Sequence, residues 1–486
     1  MSRRSLALVL AVLLPLGLGL VAATSDGPVP VPPTFAALGE PTLPFVPKQG
    51  FLSATWFCAG APVADGGNGG DVIVVNPSEG PLAGTYTVFS DTDGTSPVVG
   101  SFEVPARGTW SLAMEEVQTA TAFMSAMVEI SGGGGYVEQR ADHEDGAAVS
   151  PCSNSTSDVW HFADGYTLND SVESLVITNP YPDDAIIDIQ AFRPGANGSF
   201  ESPSLQGVAV RGQSVLVIDS QTQRLPKEES VLALSVVARS GRVVVARSQR
   251  YVVERVGFTN TLGSPSVSPE WYFAAGENSD DIYFERYTIF NPGDADVTVS
   301  ATVLGVNADD PEFVNVREDF VEAGSVVTFT MSDWERLPTG AHHLEFSTES
   351  GDGVVIERAL TRRAGDSGFV TTVTFGAPQS FGGFYRWSMA VGTDLAVDGV
   401  LVVANRDGFD GTVTVKALGP GGEVEIPGLE AVPLPAGGSV SIAIPQLEAA
   451  LGVPLVVEST NRIVVERAVP RSTELNGRSA SLALPG

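Results

Sequence analysis

The chain has 486 residues, more than one ordinary core holds, and 43% of them are hydrophobic, enough to exclude wholesale disorder. Charge is lopsided: 27 basic against 58 acidic residues, net −31, with lysine only at Lys48, Lys227 and Lys416. Nucleic-acid binding needs a basic surface that displaces counterions, so that partner class is excluded, and docking onto anionic lipid is disfavoured.

Arg3 and Arg4 precede an uncharged run from Leu6 to Ala23, closed by the small residues Val21, Ala22 and Ala23. A basic end, an apolar stretch and a small-residue cleavage site describe a signal peptide. The run also sits at the lower edge for spanning a bilayer, so an uncleaved signal anchor is the alternative. Residues 1–23 are therefore expected to export the chain to an extracellular or cell-surface location, the membrane being met only through such an anchor. Residues 24–50 hold seven prolines and form a Pro-rich spacer, extended and semi-rigid.

From there the chain repeats itself. Trp56-Phe57-Cys58-Ala59-Gly60 recurs as Trp160-His161-Phe162-Ala163-Asp164-Gly165, as Trp271-Tyr272-Phe273-Ala274-Ala275-Gly276, and as Trp387-Ser388-Met389-Ala390-Val391-Gly392. After 20, 19, 20 and 18 residues an apolar run ends in Asn76, Asn179, Asn291 and Asn405. Glycines at 108, 212, 324 and 438 open another strand, and each unit closes on a run ending in Arg140, Arg247, Arg358 or Arg467. The units are expected at 51–152, 153–265, 266–378 and 379–486, with no further domain after the fourth. Inter-unit gaps are short, so successive units should pack closely.

Within a unit the apolar pattern has the period of strands; Val297 to Val303 alternates strictly. Asn-Pro-Gly-Asp at 291–294 is turn chemistry. Helical pattern is confined to short stretches near Met114–Val117 and Gln446–Leu451. The expected fold is all-β, four tandem immunoglobulin-like or fibronectin-like β-sandwiches. A β-propeller with two blades per unit is the minor alternative.

The Trp-aromatic-Phe-Ala-x-Gly opening, the Asn-Pro turn and the Val-x-Glu-Arg close resemble the tandem repeats of exported, uncharacterised actinobacterial-type proteins, whose opening reads Trp-Tyr-Phe-Ala-Glu-Gly. The resemblance covers about residues 51–486. Asp164, Ala275 and Val391 stand where that pattern has Glu. The resemblance implies an extracellular β-sandwich array and no catalytic residue.

Chemistry-bearing residues are few. Cys58 and Cys152 bracket the first unit and are expected to form a disulfide, which export permits. Gly365-Asp366-Ser367-Gly368 copies part of a serine-protease motif without a suitable His, and reads as a turn. His143, His161, His342 and His343 form no metal-ligand spacing, and His161 reads as a sheet-surface residue. Acid-rich loops at 65–71, 91–94 and 277–281 read as solvated turns, with weak calcium sites as the alternative. The four repeat-opening tryptophans, Trp56, Trp160, Trp271 and Trp387, read as sandwich-core anchors rather than a sugar platform. In each Glu-Arg doublet the side chains face opposite ways, so one needs a buried partner; Arg stacking on the unit's Trp is one candidate.

No catalytic residue, metal site or cofactor is expected, and no ligand-binding residue is identifiable. The chain reads as a non-enzymatic scaffold or interaction protein of the cell envelope. The alternative is a binding module for an envelope glycan or protein, using the loops after Gly60, Gly165, Gly276 and Gly392.

Overall fold

The computed structural model describes residues 41–47, 52–119, 121–195, 200, 202–222, 225–306, 313–350, 353–364, 368–390, 400–442, 453–468 and 480–486. The leader, most of the spacer, the segment 365–367, the loop at 391–399 and the stretch 446–451 lie outside the described residues. Among those described, no helix is long and apolar enough to cross a membrane. Met114–Val117 is a single helical turn.

The described chain is nearly all β, in antiparallel sheets that stack as sandwiches. Alternation of apolar residues makes the strands: Val297–Leu304 buries every second side chain. Eight sheets fall into four pairs, each pair built from one quarter of the chain. The second quarter shows the plan. One sheet runs Val208–Val210, Ala185–Phe192, Leu232–Ser240, Val159–Gly165; the other runs Ser214–Asp219, Val172–Asn179, Val244–Tyr251, Gly257–Leu262. The same order recurs in the other three quarters, with short extra strands in the third and fourth.

Each repeat-opening tryptophan, Trp56, Trp160, Trp271 and Trp387, lies in its own sandwich core, at most 1% exposed. Three of them donate the indole N–H to a main-chain carbonyl of the penultimate strand: Trp160 to Val243 at 3.0 Å, Trp271 to Val354 at 2.9 Å, Trp387 to Ile463 at 2.9 Å. Each asparagine ties a turn. Its Nδ2 donates to the carbonyl four residues on (Gly80, Asp183, Ala295, Phe409), while its Oδ1 accepts from the N–H two residues on. The same Nδ2 reaches a carbonyl about 30 residues away, such as Val210 from Asn179 at 3.0 Å. One amide therefore fixes both the turn and its docking.

Residues 41–486 form one compact unit. The first strand of each quarter packs across the central and penultimate strands of the next: Ser53–Pro62 on Val172–Asn179 and Val244–Tyr251, Val159–Gly165 on Ile282–Asn291 and Val355–Ala364, Glu270–Asn278 on Val400–Asn405 and Ile463–Ala468. The fourth quarter returns to the first, Ala390, Leu418 and Leu484 joining the core that holds Trp56. The last hairpin strands, Gly146–Pro151, Gly257–Leu262, Gly368–Phe375 and Ser481–Leu482, meet in turn, and the fourth touches the first again. The four sandwiches thus close into a ring, while no single sheet closes into a barrel.

Candidate functional site

The ring concentrates its charge chemistry at the seams between units. Strand alternation explains how. In the Trp-x-Phe-Ala opening, Trp and the third residue face their own core, and the second and fourth face the neighbouring unit. Phe57 and Ala59 accordingly join the core of the second unit. His161 faces Phe290 of the third unit, ring centroids 5.9 Å apart, and its Nδ1 lies 2.8 Å from Ser235 Oγ. It is 8% exposed, and burial pulls its pKa down to about 4, so it is no sheet-surface residue. Tyr272 carries the guanidinium of Arg406 from the fourth unit, 3.4 Å from its ring centroid. The place after each Trp, filled by Phe57, His161, Tyr272 or Ser388, differs from unit to unit, and in the first three units it meets the neighbour.

The Glu-Arg doublets are the second seam element. Arg247 of the second unit binds Glu357 of the third through two hydrogen bonds, Nη2 to Oε1 at 2.7 Å and Nη1 to Oε2 at 3.0 Å. Arg358 of the third unit donates to Glu466 of the fourth at 2.8 Å. Arg467 of the fourth unit returns to Glu138 of the first, two bonds of 3.0 Å closing the circuit. All six side chains are buried, 4% exposed at most. The glutamates also cap the preceding unit's first strand: Glu357 accepts from the N–H groups of Ala163 and Asp164 at 2.7 Å each, Glu466 from Ala274 at 2.7 Å. Burial works against the charge on Arg247 and Arg358, yet the facing carboxylates raise both above the ordinary guanidinium range.

The sequence expectation of arginine stacked on tryptophan is corrected. Arg247 lies over Phe162 at 5.3 Å and Arg358 over Phe273 at 5.8 Å, because Phe, two residues after Trp, shares its inward face. Arg140 is corrected as well. Strand pairing sets Gln139 opposite Val72, just as Arg247, Arg358 and Arg467 stand opposite Leu175, Tyr287 and Leu401. Arg140 lies one residue later, on the other face, and pairs with Asp142 at 2.8 Å.

At this buried position the seam between the first and second units is therefore neutral, although Arg250 pairs with Asp145 at 2.7 Å, and Arg211 with Asp93, across it nearer the surface. Gln139 stands in the arginine place and Ala246 in the glutamate place. Amides take over there: Gln139 donates to the carbonyl of Ala59 at 2.8 Å, Asn260 to those of Ala59 and Gly60 at 3.3 Å. Gly60, at φ +93°, lies so close to Asn260 and Ala246 that a Cβ would collide. Cys58 fills the Phe place and is bonded to Cys152.

The second–third seam is the most charged. Asp164 accepts two bonds from Arg255, at 2.6 and 3.2 Å, and further bonds from Arg286 at 2.7 Å and Thr288 at 2.6 Å. Arg255 is boxed by the rings of Tyr166, Tyr251 and Phe284 at 4.7, 5.6 and 5.4 Å. Beside them Glu173 is fully buried, and neither carboxyl oxygen accepts a hydrogen bond of ordinary geometry among the described residues. Burial, reinforced by Glu357 and Asp164 against the pull of Arg247, pushes it up to about 8. The equivalent Glu285 of the third unit is held low instead. Burial opposes its charge, but His342, at 3.4 Å, Arg358 and the Tyr287 hydroxyl, at 2.5 Å, outweigh it.

The acid-rich loops put their charge to local use. Asp91 accepts from Thr121 and from the Ala122 N–H, and Glu277 pairs with Arg362 at 2.7 Å. Among the described residues no group of three or more His, Cys, Asp or Glu side chains could hold a metal ion.

Residues 131–368 match a family of unknown function (DUF5719). No protein with a curated description matches the chain. Among solved structures, the "Crystal Structure of Thermotoga maritima 1070" is similar to 24% of this chain and 97% of its own, at 14% identity and a TM-score of 0.21. A "tetra-tandem repeat in extending region of large adhesion protein" aligns with 84% of this chain and 92% of its own, at 13% identity and a TM-score of 0.10.

Proposed function

We propose that this chain is an exported, non-enzymatic interaction platform of the cell envelope, one of the tandem-repeat proteins that its Trp-x-Phe-Ala-x-Gly motifs resemble. One observation carries the reading: what recurs from unit to unit is spent on internal structure. The tryptophans are core anchors, the asparagines tie turns, and the Glu-Arg doublets join neighbours. Such use leaves no repeated constellation for chemistry among the described residues and supports a rigid body whose variable loops face outward. Cell fractionation tests the reading. The full chain is expected beyond the cytoplasmic membrane, either shortened by its leader or held by it. Cytoplasmic retention overturns it.

A second reading has its own support. Tyr283, 49% exposed, follows the loop after Gly276 and lies tilted against Phe369 with centroids 4.6 Å apart. An exposed tyrosine backed by a half-buried phenylalanine beside a divergent loop suits an envelope glycan or a protein partner. Co-sedimentation with purified envelope glycan should weaken in Tyr283→Ala. Equal sedimentation of variant and parent sinks the glycan reading.

A further inference from the structure

The ring has one seam that no covalent link spans, the one between the fourth and first units. Residues 41–47 lie across it. Leu43 is 6% exposed and belongs to the core of the third and fourth units, while Val46 packs on the core shared by the first and fourth. Leu43 and Pro44 line, with Leu262, Phe375, Phe381 and Leu482, the cavity where the last strands of all four units meet. One main-chain and one side-chain bond fix the segment, to the end of the fourth unit and to the connector that follows the first unit. The Val46 N–H donates to the Pro485 carbonyl at 2.8 Å, and Asn154 Nδ2 donates to the Phe45 carbonyl at 3.1 Å.

We propose that residues 41–47 are a clasp that closes the ring by holding the fourth unit to the first. The function reading is independent of this: a platform could exist with an open or a closed ring. The chemistry explains the composition of the segment. A Pro-rich strand is pre-extended, so little entropy is lost when it docks. Pro44 and Pro47 lack an N–H that burial would leave unpaired, and the N–H of Val46 meets an acceptor.

Hydrogen–deuterium exchange on the full chain tests the clasp. Val46→Pro deletes the donor to Pro485, and Asn154→Ala, a milder change, deletes the bond to Phe45. Exchange is expected to quicken by about tenfold or less in Tyr136–His143 and Ile463–Ala468, the strands of the fourth–first seam, more in the first variant than in the second. Val244–Tyr251, at the second–third seam, should keep its parental rate. Unchanged exchange at the fourth–first seam overturns the proposal. Equal quickening at both seams overturns it too, because the segment would then be only a general stabiliser.

Discussion

Two seams of the same ring solve one packing problem in opposite ways. The second–third seam is ionic, with Arg247 bound to Glu357. The first–second seam is neutral at its buried centre, with Gln139 and Ala246 in the two matching places, and keeps its cross-unit ion pairs, Arg250–Asp145 and Arg211–Asp93, nearer the surface. The difference lies in what changed together. Losing one partner of a buried ion pair leaves a stranded charge, which costs about 3–5 kcal/mol, while replacing both is often neutral. Here both are replaced, and so is the phenylalanine that carries the guanidinium, whose place Cys58 takes. The ion pair is thus one way to fill the seam, and its two charged partners are present or absent together; the phenylalanine is separable, because Met389 stands in its place in the fourth unit, where Arg467 still binds Glu138.

Breaking one ionic seam should have the largest effect. Arg358→Leu strands Glu466 and should lower unfolding stability by about 3–5 kcal/mol, measured by denaturant titration. Gln139→Leu at the neutral seam should cost only about 1–2 kcal/mol. Equal losses would erase the distinction between the seams.

The disulfide braces the unit that opens the neutral seam. Its cysteines are 94 residues apart, and replacing both by alanine should cost about 2–5 kcal/mol. The parent should gain 2 Da on reduction after unfolding; an unchanged mass would deny the bond.

Acidity separates the seams next. Glu173 in the folded chain titrates near 8, against an ordinary value of 4.5. The folded state keeps a proton that the unfolded chain releases, so its contribution to stability falls as pH rises from about 4.5 to about 8. Glu173→Gln should leave the melting temperature unchanged at pH 4 and raise it at pH 8. A pH slope equal to the parent's would assign the effect elsewhere.

The finest test installs the missing pair. Gln139→Arg alone and Ala246→Glu alone should each destabilise, and the double variant should recover part of the loss, with a coupling of about 0.5–3 kcal/mol. Additive losses would show that the neutral seam has no room for the pair.

Much of the sandwich was legible in the sequence, for a local reason. The Trp-to-Asn spacing and the strict alternation from Val297 report contacts within one unit, and each residue carries its own signal of burial. The seams were not legible. Arg247 and Glu357 are 110 residues apart, Arg467 and Glu138 329. No periodicity encodes a partner at that distance, and Arg140 mimics the seam arginine one residue out of register. His161 misled for a related reason: a polar residue alternating with core residues looks solvent-facing until a second unit covers it.

The bond between Val46 and Pro485 has a last consequence. With the two ends of the folded body side by side and each unit joined to the next around the ring, unit order is cyclic. A gene cut in the connector between Leu262 and Glu270, with its old ends fused, would encode the same seams in a rotated order.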